Sequence, residues 1–204
     1  QAEALGIPHA GGLLMLVAQA KRSSELFTGR AIPDARIGEI YRQLGAQMQN
    51  LVLVGMPGCG KSSIGTLLAQ RLNRPFADAD AEIEQAAGMP IPAFFQLHGE
   101  GAFRDLESRV LAELGKRSGA VIATGGGAVL REENYTSLHQ NGVIVWLTRD
   151  LARLPVDGRP VSQSTSLDAL FAARRARYAR FADHTIDNNG APDETVRAIL
   201  EALR

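Results

Sequence analysis

The stretch Gly55-Met56-Pro57-Gly58-Cys59-Gly60-Lys61-Ser62 decides the fold of this chain. It fits the pattern G-x-x-x-x-G-K-[ST], in which glycines let successive backbone N–H groups turn toward one anion. An apolar run at 50–54 predicts a buried parallel strand before the stretch, and apolar residues repeat at helical spacing between 64 and 72. A strand, a glycine-rich turn and a helix in this order predict a loop that binds nucleotide phosphate.

The residues of this loop have separate expected tasks. Lys61 is expected to reach the outer phosphates and to be catalytic, and the Ser62 hydroxyl can ligate Mg²⁺. Cys59 is interpreted as a small tolerated side chain, with a redox role as the alternative. The residues expected to contact ATP in this region are Gly58, Cys59, Gly60, Lys61, Ser62 and Ser63.

Segments after the loop alternate between strand-like and helix-like patterns. Further strands are predicted at 75–78, 120–124, 143–147 and 184–186, and helices at 100–116, 167–181 and 193–203. This alternation predicts an α/β fold with a P-loop NTPase-type parallel sheet of about five strands and helices on both faces. Ligands of such sheets bind beyond the carboxyl ends of the strands. Residues 154–165, with two prolines and a glycine, predict a mobile loop.

The composition argues against several partners. Lysine plus arginine and aspartate plus glutamate balance at 22 each, so the chain lacks the basic surface expected for binding nucleic acid or an anionic membrane. A single cysteine excludes an intrachain disulfide and suits a cytoplasmic location. The chain starts at Gln1 without a signal-peptide pattern, so we expect a piece of a longer polypeptide.

Two carboxylates end the second predicted strand, in Asp78-Ala79-Asp80. Alternation along an extended backbone points both toward the crevice. One carboxylate suits Mg²⁺ held through water, and the other suits accepting the proton of an attacking hydroxyl. A solvated turn or a helix cap is the alternative.

Arginines near the predicted site suggest an anionic acceptor. Arg104 lies near the start of a helix against the helix dipole, so it is expected to face a specific anion, and Glu107 is placed to hold its guanidinium. A plain surface ion pair is the alternative. Arg159, in the loop 154–165, is a candidate to close over the transferring phosphoryl group. A basic helical stretch contains Arg174, Arg175, Arg177 and Arg180.

A run of glycines, Thr124-Gly125-Gly126-Gly127, follows the third predicted strand. Glycines are useful where a backbone must approach a ligand closely. The alternative is a flexible turn.

Together these features resemble the shikimate kinase family over residues 50–204. The resemblance rests on the following motifs: Gly55 to Ser62, Asp78-x-Asp80, Gly99-Glu100-x-x-Phe103-Arg104-x-x-Glu107, Ala123-Thr124-Gly125-Gly126-Gly127, Arg159-Pro160 and Arg174-x-x-x-Tyr178. It implies a nucleoside monophosphate kinase-like fold. It also implies a transferase of the chorismate pathway that moves the γ-phosphoryl group of ATP to the 3-hydroxyl of shikimate, with Mg²⁺ as cofactor.

The resemblance also implies roles for the residues on the acceptor side. Asp80 would bind the substrate hydroxyls and help the 3-hydroxyl lose its proton. The residues that would contact shikimate are Asp80, Arg104, Gly125, Gly126, Gly127 and Arg174, the two arginines gripping its carboxylate. On the nucleotide side, Asp78 would hold Mg²⁺ beside Ser62, Arg159 would be the catalytic lid arginine, and Arg153 would lie against adenine.

Three features depart from the family pattern. Ala79 replaces the usual serine or threonine, Ala176 replaces a usual proline and makes Arg175 a rival to Arg174, and the lid is short.

The first part of the chain carries a second resemblance. Residues 5–47 resemble the C-terminal end of shikimate dehydrogenase, in which the glutamine matching Gln19 helps bind shikimate. This implies a dehydrogenase–kinase fusion, with a helical remnant at 1–48, a kinase domain at 49–204 and a covalently linked dehydrogenase domain in the parent chain. Helices are predicted at 13–27 and 37–44, packed on the kinase or a neighbouring chain, and a plain helical extension is the alternative.

Two other functions remain compatible with the residues alone. Another phosphate-loop kinase, acting on gluconate or a nucleoside monophosphate, would also use the loop, and a sugar acid offers a carboxylate to Arg104. A nucleotide-binding regulator would bind ATP without phosphorylating an acceptor.

Overall fold

The computed structural model of the chain describes residues 12–154 and 166–203. It divides into two compact units, Gln1–Met48 and Gln49–Arg204. In the first unit, helices α1 (Gly12–Thr28) and α2 (Ala35–Met48) cover the two helices predicted there. Lys21 Nζ lies 2.7 Å from Asp34 Oδ1 and helps to hold the connection between them.

The second unit contains a parallel sheet with helices on both faces, which confirms the predicted fold class. Its strands, in the spatial order β2-β3-β1-β4-β5, are β1 (Asn50–Val54), β2 (Phe76–Asp78), β3 (Val121–Ala123), β4 (Gly142–Thr148) and β5 (His184–Asp187). Its helices are α3 (Lys61–Leu72), α4 (Ala79–Ala87), α5 (Ile91–Gly115), α6 (Glu132–His139), α7 (Leu167–Phe181) and α8 (Pro192–Ala202).

Strand β1 is the central strand of the sheet, and its residues after Asn50 are apolar. Every residue of the strand is buried, and it pairs with β3 on one side and β4 on the other. A strand covered on both faces needs a continuous apolar run, as Leu51 to Val54 provide. The phosphate-binding loop therefore starts at the middle of the carboxyl edge of the sheet, where ligands of such folds bind.

Three features differ from the expectations. The second strand ends at Asp78, and α4 begins at once, so the prediction that Asp80 lies on an extended backbone was wrong. Helix α5 starts at Ile91 and is broken at Gly99, whose φ of 78° and ψ of 175° are not helical; the predicted start near residue 100 corresponds to this break. Helices α4 and α6 were not predicted.

Within residues 12–154 and 166–203, we find no helix long and apolar enough to cross a membrane. Of the loop predicted at 154–165, only Leu154, which is buried, belongs to the described residues. The candidate Arg159 lies outside them.

Candidate active site

The phosphate-binding loop depends on three glycines with positive φ. Gly55, Gly58 and Gly60 have φ values of 149°, 80° and 97°, a region that side chains disfavour. At Gly55 a Cβ would also come within 2.5 Å of the Leu147 carbonyl oxygen on β4. Gly60 is the N-cap of α3, so the loop delivers its backbone to the positive end of that helix, a favourable place for an anion.

Lys61 places its ammonium group inside the loop. The residue is 8% exposed, and its Nζ donates to the carbonyl oxygens of Gly55 and Met56 at 3.0 Å each. The Cys59 thiol is fully buried, with Sγ 3.9 Å from Lys61 Nζ. A buried cation at the start of a helix makes the loop suited to binding several negative charges.

Ser62 and Asp78 lie together beside the loop. Ser62 Oγ donates to Asp78 Oδ2 at 2.5 Å, and Asp78 Oδ1 accepts from the Asp80 backbone N–H at 3.0 Å. Asp78 is thus the N-cap of α4, so the helix-cap alternative is confirmed for this residue. A hydroxyl and a carboxylate oxygen are ligands that Mg²⁺ prefers, and these two fit such an ion.

A cavity of about 710 Å³ joins the loop to the second group of predicted residues. Its walls include residues of α3, α4, α5 and α7 and the glycine run after β3. The predicted site residues that line it are Gly58, Gly60, Lys61, Ser62, Ser63, Asp78, Asp80, Arg104, Gly125, Gly126, Gly127 and Arg174. These residues come from five separate stretches of the chain, so the fold brings phosphate-binding and acceptor-binding candidates into one space.

Arg104 is a buried cation held by two carboxylates. Its Nη1 donates to Glu107 Oε2 at 3.0 Å and its Nη2 to Glu100 Oε1 at 2.9 Å. Glu107 is 2% exposed, which confirms that it holds the guanidinium and excludes the plain surface pair. Burial raises the pKa of the Glu107 carboxyl, and Arg104 offsets part of that rise.

The glycine run after β3 fits closely between the other site residues. A Cβ at Gly125 would lie 2.7 Å from Asp80 Oδ1, one at Gly126 would lie 2.5 Å from Pro57 Cγ, and one at Gly127 would lie 2.2 Å from Arg104 Nη1. Glycines are therefore needed at these three positions, because the backbone of the run lies too close to the neighbouring side chains for a Cβ to fit.

Helix α7 anchors this run through the Gly126 carbonyl. That oxygen accepts from Arg174 Nη1 at 2.9 Å and from the Tyr178 hydroxyl at 2.6 Å. Arg174 is buried and lines the cavity, whereas Arg175 is exposed and does not. The hydrogen bond from Tyr178 to Gly126 joins residues far apart in the chain. The motif Arg174-x-x-x-Tyr178 was the one sequence feature that marked Tyr178.

Among the described residues, two predicted site residues, Cys59 and Arg153, do not line the cavity. Cys59 does not line it, because its side chain points into the core. Arg153 is exposed, with Nη1 donating to the Asn189 carbonyl at 2.6 Å. Arg159 lies outside the described residues.

Comparison with known proteins shows the family of the chain. The model of the shikimate kinase family matches residues 57–204. The chain belongs to the shikimate kinase family. A shikimate kinase of Bradyrhizobium diazoefficiens is 43% identical, with 86% of each chain covered. One of Nitrobacter winogradskyi is 47% identical, with 72% of this chain and 73% of that protein covered.

Solved shikimate kinases have a similar structure. The shikimate kinase from Acinetobacter baumannii in complex with shikimate has a TM-score of 0.69 and 34% identity, covering 78% of this chain and 94% of that chain. That of Aquifex aeolicus has a TM-score of 0.63 and 33% identity, covering 76% and 95%.

The structure adds apolar walls to this site, to which the sequence analysis gave no role. The rings of Phe95 and Phe103 contact each other at a tilt, with centroids 4.3 Å apart, and both line the cavity together with Ile91 and Leu170. Apolar walls lower the local dielectric and strengthen the charge interactions of an enclosed site. The family motif included Phe103 without giving it a role, and no sequence signal marked Ile91, Phe95 or Leu170 as walls of the site.

Proposed function

We propose that the chain is a shikimate kinase, transferring the γ-phosphoryl group of ATP to the 3-hydroxyl of shikimate and releasing shikimate 3-phosphate and ADP. One observation carries this proposal: a single cavity joins Lys61 of the phosphate-binding loop to Asp80 and to the buried cations Arg104 and Arg174. A hydroxylated carboxylate fits that combination, because guanidinium groups pair well with carboxylates.

In the proposed reaction, the acceptor oxygen forms a bond to the γ-phosphorus as the bond to the β–γ bridging oxygen breaks. Asp80 hydrogen-bonds the acceptor hydroxyl and takes up its proton, and ADP leaves with the electron pair of the broken bond. Lys61 stabilises the charge on the phosphates, and Arg159 is proposed to do so from the lid. Arg104 and Arg174 hold the carboxylate so that the hydroxyl faces the γ-phosphorus.

Two further parts of the proposal concern ligands. Ser62 and Asp78 would hold Mg²⁺, Asp78 through water, and the bound ion would offset negative charge on the β- and γ-phosphates. Gly125, Gly126 and Gly127 would contact shikimate through their backbone, and Arg153 would lie against adenine. The reaction is proposed to take place in the cytoplasm, where ATP is available.

The acceptor can be tested by measuring ADP release from Mg-ATP with shikimate, gluconate or a nucleoside monophosphate. We expect stimulation by shikimate alone. Arg104→Ala should mainly impair shikimate use, whereas Lys61→Ala should impair turnover with any acceptor. Nucleotide binding without stimulation by shikimate would sink the proposal and favour a regulator, and stimulation by gluconate would favour a sugar-acid kinase.

We also propose that residues 5–47 correspond to the C-terminal end of a shikimate dehydrogenase and that the parent chain is a dehydrogenase–kinase fusion. The support is the resemblance around Gln19 and at 25–30. Reading the coding sequence upstream tests this. A G-x-G-x-x-G fingerprint following a strand pattern is expected, and an in-frame stop codon directly upstream would contradict the fusion.

A further inference from the structure

Arg149 lies beside the phosphate-binding loop but has no role in the reaction described above. It follows Thr148, the last residue of β4, and β4 pairs with β1, from which the loop starts. Its Nη1 lies 3.7 Å from the position that a Cβ would take at Gly60. Since Gly60 caps α3, the guanidinium lies near the helix N-terminus where an anion is favoured.

The guanidinium of Arg149 has an unsatisfied donor. Its Nε is buried and has no hydrogen-bond partner within the described parts of the chain. Arg104 and Arg174, which are more buried, both donate to oxygen acceptors there. A shielded donor without an acceptor costs free energy, so an acceptor supplied by a ligand would relieve that cost.

The backbone around Arg149 is held in place before any ligand binds. The Thr148 carbonyl accepts from the Asn188 N–H at 2.8 Å, and the Asp150 N–H donates to Asn189 Oδ1 at 3.0 Å. Asn188 Nδ2 also donates to the Cys59 carbonyl at 2.6 Å. Asn188 and its neighbour Asn189 thus join the loop to the segment that carries Arg149. This link reduces the entropy lost when the loop and Arg149 bind one ligand.

We propose that Arg149 binds the phosphate chain of the nucleotide as a second cation beside Lys61. This inference rests on the proposed function, which makes the nucleotide a substrate. The planar guanidinium fork matches phosphate oxygens, and binding of the anion supplies acceptors to a group that otherwise lacks one. Arg104 and Arg174 serve the acceptor end, so the cations of the site divide between the two substrates.

Binding of ADP and of pyrophosphate to Arg149→Gln, measured by isothermal titration calorimetry, tests the proposal. We expect both ligands to bind at least about tenfold more weakly than to the unmodified chain, since a charge-assisted bond of this kind is lost. Arg149→Lys should recover part of the affinity because it keeps the charge. Arg180→Gln is the matched control, since Arg180 is exposed and pairs with Glu132 on the surface, and its affinities should not change.

Thermal unfolding without nucleotide separates ligand binding from a structural role. Because Arg149 lacks an acceptor for Nε, we expect the Tm of Arg149→Gln to equal or exceed that of the unmodified chain, while the rise in Tm on adding ADP becomes smaller. A lower Tm with an unchanged rise on adding ADP would assign Arg149 to packing and overturn the proposal.

Two other results would overturn it. If Arg149→Gln and the unmodified chain bind ADP with equal affinity, Arg149 does not contact the nucleotide. If the variant binds ADP more weakly but pyrophosphate equally well, Arg149 contacts the base or the ribose and not the phosphates. Calorimetry measures binding and needs no turnover. If the unmodified chain binds ADP but does not phosphorylate shikimate, the proposed function fails while the proposal for Arg149 is still tested.

Discussion

Gly127 leaves the space that the Arg104 side chain occupies. A Cβ at this position would lie 2.2 Å from Arg104 Nη1, so Gly127→Ala should displace the guanidinium from its place against Glu107. We expect the KM for shikimate to rise about tenfold or more, because one charge-assisted bond contributes ~1.5–3 kcal/mol. The KM for ATP should stay unchanged in steady-state kinetics with each substrate varied.

Gly101 provides the control for this substitution. It lies on α5 three residues before Arg104, and a Cβ there meets nothing within 4 Å. Gly101→Ala should leave both KM values unchanged and stabilise the helix by ~0.5–1 kcal/mol. Equal effects of the two substitutions on the KM for shikimate would contradict the role given to Gly127.

Glu107 makes a contribution to stability that depends on pH. Burial raises the pKa of its carboxyl above the ordinary value of 4.5, so the folded chain binds this proton more tightly than the unfolded chain does. The contribution is fully present below the unfolded pKa and is lost as pH rises through the folded pKa. Relative to Glu107→Gln, the free energy of unfolding should therefore fall across this window in denaturant titrations. Parallel profiles for the two chains would show that Glu107 does not titrate differently on folding.

At the scale of elements, α7 positions the glycine run through Tyr178. The Tyr178 hydroxyl donates to the Gly126 carbonyl at 2.6 Å, beside the bond from Arg174. Tyr178→Phe should lower the free energy of unfolding by ~1 kcal/mol and raise the KM for shikimate, since the run loses one of its two anchors. Chemical denaturation and kinetics measure the two effects. A stability loss with no change in that KM would show that Arg174 alone holds the run.

Most elements were predictable because their apolar patterns are strong. The sheet strands and helices α3, α7 and α8 follow from buried runs and helical repeats. The boundary at Asp78 was not, because the two carboxylates at 78 and 80 fitted both the end of a strand and a helix cap. The break at Gly99 also needs the backbone angles, since a glycine inside a helical pattern is often tolerated.

The site was predictable only as far as motifs reached. The phosphate-binding loop, Asp80 and Arg104 stand out by spacing, whereas the Tyr178 contact with Gly126 joins residues 52 positions apart. No sequence pattern marked Arg149 as a site residue, because its proposed role depends on its position beside Gly60 in the folded chain. Such contacts depend on the sheet order, which residue patterns alone did not give.

At the scale of the whole molecule, the described residues of the site all belong to the unit Gln49–Arg204, which has its own hydrophobic core. We therefore expect a chain of residues 49–204 to fold and to keep the kcat/KM for shikimate of the full chain. Circular dichroism and kinetics check this. An unfolded or inactive chain would show that residues 1–48 are part of the kinase and would contradict the proposed division at residue 48.

The most direct test of the central claim is the product itself, followed by phosphorus and proton NMR in a mixture of the chain, Mg-ATP and shikimate. One new phosphate monoester is predicted, coupled to the proton on carbon 3 of shikimate and formed in step with ADP. Release of ADP and inorganic phosphate without that ester, or an ester on another hydroxyl, would contradict the account.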